Sequence, residues 1–257
     1  MKSARQYQFA GIIPARYSSF RFPGKPLALI GNKPMIQMVY EQAAKKLDLV
    51  FVATDDERID NTVKSFGGRS IMTSSAHQSG TDRCAEAVKV ISDTTGIKID
   101  IVINIQGDEP FIKPEQIGLL MNCFESESVG IATLIRIAGE GEDIFNPNQP
   151  KVIINTEGDA IYFSRAAIPY LRDVEKSKWP EKHKYYKHIG LYAYKTDILK
   201  EITQLNRSPL EISESLEQNR WIENGFRIRT AVTSWESLGV DTPEDLERAN
   251  MLLGDFT

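Results

Sequence analysis

The sequence is poor in cysteine and histidine, has no long apolar run and carries no excess of positive charge. Cys84 and Cys123 are the only two cysteines among 257 residues. They show no CxxC spacing, so two buried thiols are expected. The three histidines, His77, His183 and His188, form no zinc pattern. No apolar stretch approaches the ~18 residues that span a bilayer. The opening segment MKSARQYQFAGII lacks the apolar core and small-residue cleavage site of a secretory signal. The expected location is therefore the cytoplasm, without membrane association. Lys and Arg number 31 against 35 Asp and Glu, a net charge of -4, which argues against a nucleic-acid binder with its basic footprint. Two phosphate-binding signatures are also missing. There is no GxxxxGK[ST] loop and no GxGxxG after the first apolar run, so neither a P-loop protein nor an NAD-binding Rossmann protein is indicated.

What is present is an alternation of strand and helix patterns. Apolar residues make up 41% of the chain, enough for a core, and the length fits one large α/β domain or two small ones. FAGIIPA, LVFVAT, SIMT and DIVINIQ read as strands. Between and after them lie helical stripes: Met35, Met38, Val39, Ala43 and Leu47; Ile59, Val63 and Phe66; Cys84, Val88 and Ile91; Ile117, Leu120, Met121 and Phe124. Strand alternating with helix implies a mostly parallel, Rossmann-like sheet flanked by helices, an α/β fold. The second half changes character. KVIINTEGDAIYFSR predicts an antiparallel hairpin. LRDVEKSKWPEKHKYY has no period and is expected to be an exposed loop or arm. HIGLYAYK alternates, with Ile189, Leu191 and Ala193 on one face and His188, Tyr192 and Tyr194 on the other. PLEISESLEQNRWIENG predicts a helix and RIRTAV a strand. DTPEDLERANMLL closes with Thr242 as N-cap and Pro243 at the first helical position. With no repeat and no linker, residues 1–257 are expected to form a single domain containing a smaller antiparallel strand region.

The first strand ends in PARYSSFRFPGKPL, a cationic loop on an acidic protein. Arg16, Arg21 and Lys25 follow one strand exit, and Lys33 comes soon after. Ligands of open parallel sheets sit beyond the carboxyl ends of the strands. Arginine forks and a lysine point charge suit phosphate oxygens. Gly24 would let the backbone come close, and Pro14 and Pro23 would stiffen the loop. The loop reads either as a polyphosphate site or as a solvated basic turn. VINIQGDEP ends a buried strand with Gln106, Asp108 and Glu109. Asp108 is costly in a dry core and is expected at the strand's open end. Carboxylates beside phosphate-binding cations call for a bridging divalent ion, and Mg²⁺ uses a few carboxylates plus phosphate oxygens. Asp241 in GVDTP could supply a second carboxylate or could be an ordinary helix-start residue. Arg165 ends AIYFSR and needs an anionic partner, either a sugar carboxylate or a structural Asp or Glu.

Taken in order, PARYSSFRFPGKPL, VATDDERI, HQSGTDR, VINIQGDEP, AIYFSR, KHIGLYAYK, ESLEQNRW and GVDTPEDLE resemble the sugar nucleotidyltransferases over nearly the whole chain. Within them the match is to the CMP-Kdo synthetase family (3-deoxy-manno-octulosonate cytidylyltransferases). The resemblance implies transfer of CMP from CTP to an acidic eight-carbon sugar, Kdo or its 8-amino variant, with release of pyrophosphate. It implies that Pro14, Ala15, Arg16, Arg21, Lys25, Ser79, Gly80, Arg83 and Gln106 bind the nucleotide. Arg16, Lys25, Asp108 and Asp241 would be catalytic, and Asp108 and Asp241 would hold Mg²⁺. Gln106, Arg165, His188, Tyr192, Glu217 and Gln218 would hold the sugar. A homodimer is implied, with a subregion at about 151–225 for sugar binding and dimerisation, and a product used in lipopolysaccharide or capsule assembly. Lys187 stands where many members have Arg, and Asn219 where many have Leu. The competing readings are a nucleotidyltransferase for sialic acid or a sugar phosphate, and a nucleotide-binding module without catalysis.

Overall fold

The computed structural model describes residues 7–18, 21–236 and 238–253. The polar leader, Ser19 and Phe20 of the cationic loop, Ser237 and the last four residues lie outside them. In chain order the strands are β1 (Phe9–Ala15), β2 (Leu29–Ile30), β3 (Lys33–Pro34), β4 (Val50–Thr54), β5 (Ser70–Met72), β6 (Ile101–Asn104), β7 (Ile131–Ile137), β8 (Lys151–Ile154), β9 (Ala160–Ser164), β10 (Tyr186–Lys195) and β11 (Ile228–Val232). The helices are α1 (Met35–Ala44), α2 (Glu57–Ser65), α3 (Gly80–Thr95), α4 (Pro114–Cys123), α5 (Trp179–Lys182), α6 (Thr196–Ile202), α7 (Pro209–Glu214), α8 (Glu217–Glu223) and α9 (Pro243–Leu253). They form two compact units, each assembled from separate stretches of chain.

The first unit comprises described residues within Met1–Gly118, Ala193–Thr203 and Ser237–Thr257. Its centre is β1, hydrogen-bonded to β6 on one side and β4 on the other, with β5 beyond β4, all parallel. This is the mostly parallel sheet that the strand–helix alternation predicts. Every residue of β4 and β6 is buried, which is why these strands read as continuous apolar runs rather than alternating ones. Helices α1, α2 and α3 flank the sheet. In α3, Cys84, Ala87, Val88 and Ile91 are buried and recur at helical spacing. Asp56 caps α2 by accepting the Arg58 N–H at 2.9 Å, and Thr242 caps α9 by accepting the Asp245 N–H at 3.2 Å. Ile30, Met35, Val240 and Ala249 form one apolar cluster that ties β2, α1 and α9 together. Cys84 is buried as expected, whereas Cys123 is only partly so.

The second unit comprises Leu119–Tyr192 and Gln204–Glu236. Strand β7 lies between β11 and β10, and β11 runs parallel to it. The predicted hairpin is present: β8 is antiparallel to β9, and also to β10. Asn155 forms its turn, its side-chain oxygen accepting the N–H groups of Glu157 and Asp159 at 2.9 Å each.

For the second half one expectation is refined and one is corrected. The 171–186 segment is largely exposed, as expected, but two buried aromatics anchor it to the second unit. Trp179 and Tyr185 are each only 2% exposed, and they cluster with Ile144, Ala138, Ala167, Leu171 and Val174. The Trp179 indole donates to the Val174 carbonyl at 3.0 Å, and the Tyr185 hydroxyl donates to the Pro169 carbonyl at 2.7 Å. The helix over 209–224 is two helices. Ser215 takes a left-handed conformation (φ 50°), which ends α7 and redirects the chain before α8. Strand β10 is buried at Leu191, Tyr192, Ala193 and Tyr194. Trp179→Ala is therefore expected to destabilise the fold by about 3–5 kcal/mol, as for a large buried aromatic. Urea unfolding checks this, and a change below about 0.5 kcal/mol would mark the segment as an ordinary surface.

Candidate active site

The cleft of the first unit is built on the exit of β1. The apolar run stops at Ala15, and Arg16 follows it into solvent. The chain then doubles back, and the Gly24 N–H donates to the Tyr17 carbonyl at 2.8 Å. Gly24 has φ 72°, and a Cβ there would lie 3.1 Å from the Tyr17 ring, so a side chain is disfavoured on both counts. The Tyr17 ring in turn stacks against the Arg58 guanidinium, 3.2 Å from its centroid. A 3-10 turn over Lys25–Leu27 begins at once and aims Lys25 inward.

Lys25 is the centre of the site. Its ammonium donates to Asp108 Oδ2 at 2.6 Å and to Asp241 Oδ1 at 3.0 Å. Its side chain is 12% exposed, against 63% for Arg21, which pairs with Asp241 Oδ2 at 3.0 Å. Backbone bonds hold the two aspartates in register. The Val240 N–H donates to the Asp108 carbonyl at 2.8 Å. The N–H groups of Asp241 and Thr242 both donate to Asp245 Oδ2 at 3.0 Å. Burial pushes the Asp245 carboxyl up, but these N–H donors outweigh it and hold its pKa below the ordinary value. Gly107 lets the Asp108 turn pass close to β1, since a Cβ there would meet the Pro14 carbonyl at 2.9 Å. Lys33 does not join the cluster; its ammonium binds Glu41 at 2.6 Å.

The start of α3 closes the cleft. Ser79 caps that helix, accepting the Asp82 N–H at 3.1 Å and donating to its carboxylate at 2.8 Å. Arg83 is buried, with its guanidinium on Thr73 Oγ1 at 2.6 Å and near Asp55 at 3.4 Å. The Gln106 amide reaches Asn104 Oδ1 at 3.4 Å. Together Pro14, Ala15, Arg16, Arg21, Lys25, Ser79, Gly80, Arg83, Gln106, Asp108 and Asp241 line a cavity of about 260 Å³. Every residue expected to touch nucleotide or metal is among them. The sequence reading missed His77, which also lines this cavity. Its Nε2 lies 2.5 Å from Glu86 Oε2, and Glu86 also accepts the Ser74 N–H at 2.7 Å. Burial raises the Glu86 carboxyl, but Ser74 and His77 together bring it below its ordinary value. The only sequence signal was a histidine two residues before the Ser79 cap.

The remaining expected residues, apart from Gln106, belong to the second unit. Arg165 finds no carboxylate for its guanidinium among its described hydrogen bonds; it donates to the carbonyls of Glu214 (2.6 Å), Pro147 (2.9 Å) and Ser215 (3.3 Å). Glu214 instead holds the end of β9, accepting from the Ser164 hydroxyl at 2.6 Å, the Tyr162 hydroxyl at 2.9 Å and the Arg165 N–H at 2.9 Å. Burial works against the charge of Glu214, yet these donors keep its pKa below the ordinary value. Buried Lys151 donates to the carbonyls of Arg165 (2.7 Å) and Asn146 (2.9 Å). His188 packs edge-on against Phe163 at 5.0 Å and lies 3.0 Å from Thr133 Oγ1. Burial depresses its pKa to about 3. Tyr192 lies between His188 and Trp221, with ring centroids 5.3 Å from each. Burial, and then Glu217, push its phenol well above the ordinary value. Glu217 accepts from Arg220 at 2.6 Å, and Gln218 is buried. The two departures from the family pattern are structural. Lys187 pairs with Glu142 at 2.7 Å. Asn219 accepts the Phe163 N–H at 3.3 Å and donates to the Phe163 carbonyl at 2.9 Å.

A cation-lined cleft at a parallel strand exit, with two carboxylates converging in it, is the arrangement expected of a nucleotidyltransferase. The cytidylyltransferase family model matches residues 10–229, and the chain belongs to that family. It is 54% identical over 252 residues to a 3-deoxy-manno-octulosonate cytidylyltransferase of Parabacteroides distasonis, covering 96% of this chain and 99% of the relative. An enzyme of the same name from Phocaeicola vulgatus is 54% identical over 249 residues, with 96% and 97% covered. Among solved structures, a CMP:2-keto-3-deoxy-manno-octonic acid synthetase complexed with CTP superposes with a TM-score of 0.88 at 43% identity, covering 97% of this chain and all of that one.

The half-buried His188 makes a pH prediction. Its folded pKa lies below the ~6.5 of an unfolded histidine, so between those values the unfolded chain binds the extra proton. Stability is then fully present above about pH 6.5 and is lost as pH falls toward 3. Replacing His188 with Gln should remove up to about 1.4 kcal/mol per pH unit from the slope of unfolding free energy between pH 4 and 6. Identical slopes in urea titrations of the two proteins would contradict this.

Proposed function

We propose that this chain joins CTP to 3-deoxy-D-manno-octulosonate, giving CMP-Kdo and pyrophosphate with a divalent metal, Mg²⁺, as cofactor. The anomeric hydroxyl oxygen of the sugar attacks the α-phosphorus. The bond to the bridging oxygen breaks, pyrophosphate leaves with the electron pair, and the hydroxyl proton is released to solvent. The observation that carries the reading is the convergence of Asp108 and Asp241 on one cation, with Arg16 and Arg21 beside them. Hard carboxylate oxygens suit Mg²⁺, and the Lys25 ammonium held between them marks a place that favours positive charge. Among the described residues no cluster of three or more His, Cys, Asp or Glu side chains is suited to a metal; a site on two carboxylates leaves its other positions to phosphate and water. When bound, the metal would polarise the α-phosphate and lower the pKa of the sugar hydroxyl.

The chain's own residues do the rest. Arg16, Arg21 and Lys25 neutralise the β- and γ-phosphates as charge moves onto pyrophosphate. Ser79, Gly80, Arg83, Gln106 and the backbone at Pro14 and Ala15 receive the cytosine and its ribose. Arg83 is pinned by Thr73 and Asp55, so it presents a fixed edge, and a fixed polar site rejects the wrong base by leaving its groups unpaired. Gln106, Arg165, His188, Tyr192, Glu217 and Gln218 take the acidic sugar, His188 as a neutral ring. The family resemblance supports the same assignments. With them go a cytoplasmic location, a homodimer and a product destined for lipopolysaccharide. Among the described residues no helix is long and apolar enough to cross a membrane.

Pyrophosphate release on mixing protein, CTP, Mg²⁺ and Kdo tests the reading directly. Activity with UTP alone, or with 8-amino-Kdo far above Kdo, would redirect the substrate assignment. Asp108→Asn is expected to lower turnover by about 10³-fold, the order seen on removing one electrostatic contributor, with unchanged circular dichroism. Wild-type turnover in that variant would remove Asp108 from the chemistry.

A further inference from the structure

Lys25 has two sets of anionic partners, and they exclude each other. In the chain alone its ammonium lies 2.6 Å from Asp108 and 3.0 Å from Asp241. A divalent ion bound by the same two carboxylates, at the ~2.0–2.1 Å typical of Mg²⁺, would occupy the space that this ammonium fills. Two cations that close would also repel. Arg21 is a looser restraint, since it is mostly exposed and touches only the outer oxygen of Asp241. The competing partner for Lys25 is the triphosphate, whose oxygens would enter the cavity that Arg16, Arg21 and Lys25 line.

We propose that Lys25 is an internal counter-ion that keeps the metal position closed until the nucleotide's phosphates draw its ammonium away, so that metal and CTP bind cooperatively. The inference rests on the assignment of Asp108 and Asp241 as metal ligands. Without nucleotide, a metal must displace a half-buried ammonium that holds both carboxylates, and binding is weak. With nucleotide, Lys25 gains phosphate oxygens, and the freed carboxylates gain the metal. Linkage requires the effect to be mutual: metal strengthens CTP binding by the factor by which CTP strengthens metal binding. The enzyme would thereby avoid loading metal in a nucleotide-free site.

The test uses Mn²⁺ alone, with no nucleotide, followed by the paramagnetic resonance of free Mn²⁺. Lys25→Met should bind Mn²⁺ at least tenfold tighter than wild type, and the double variant Lys25→Met with Asp108→Asn should lose that gain. Equal affinity in wild type and Lys25→Met overturns the proposal. A gain that survives Asp108→Asn overturns it as well, because the metal would then sit elsewhere. Loss of turnover in Asp108→Asn with no gain in Lys25→Met would leave the metal assignment standing and reject only the gate. Full turnover in Asp108→Asn would reject both. Should Lys25→Met fail to fold, wild-type protein with ¹³C-methylated lysines answers the question. The Lys25 resonance, assigned with Lys25→Arg, should move when CTP is added without metal and stay when Mg²⁺ is added without CTP. An equal shift with Mg²⁺ alone overturns the proposal.

Discussion

Asp108 follows the buried strand β6, and Asp241 precedes α9 near the other end of the chain. Both meet at the ammonium of Lys25, which is 83 and 216 positions away from them in sequence. At about 4 Å two like charges repel by about 4 kcal/mol at an effective dielectric near 20, so carboxylates brought together this way need a cation between them. Lys25 meets that need in the chain alone, and Arg21 takes the outer oxygen of Asp241. The backbone bond from Val240 to the Asp108 carbonyl fixes the approach. The rest of the first unit follows from keeping these groups in place: Gly107 lets the Asp108 turn run against Pro14, Gly24 turns the cationic loop inward, and Asp245 anchors the backbone of Asp241.

That arrangement has the chemistry of phosphoryl-group transfer. Such reactions need in-line placement and absorption of negative charge more than covalent help. In a cleft where cations and carboxylates already pair, a triphosphate gains most from a cation that can change partners. Lys25 is the group that can exchange, because a lysine is a point charge on a flexible stem. Arg83 is the opposite case. It is buried and pinned, which suits a fixed recognition edge.

Much of this was legible in the sequence. The strands around β1 read correctly because they are buried on both sides and therefore continuously apolar. The cap at Thr242, the β8–β9 hairpin and the cationic loop each have a local signature. The ordered motifs named every expected nucleotide residue that lines the cleft. What stayed hidden depends on distant partners. Trp179 and Tyr185 sit among charged residues without a period, and their burial is created by Ile144 and the 167–174 segment. Ser215 in a left-handed turn has no compositional marker, so two helices looked like one. Lys33 looked like part of the cationic cluster, and nothing local announced Glu41 as its partner. His77 escaped because its orienting partner, Glu86, lies nine positions away across a strand-to-helix turn.

The chemistry depends on one place, the space between Asp108 and Asp241. Crystals grown with CTP and Mn²⁺ would reveal it through the anomalous scattering of manganese. A peak is expected within coordination distance of a carboxylate oxygen of each aspartate, with the Lys25 ammonium on a phosphate oxygen. A peak elsewhere in the cleft, with Lys25 still bridging Asp108 and Asp241 beside bound CTP, would contradict this.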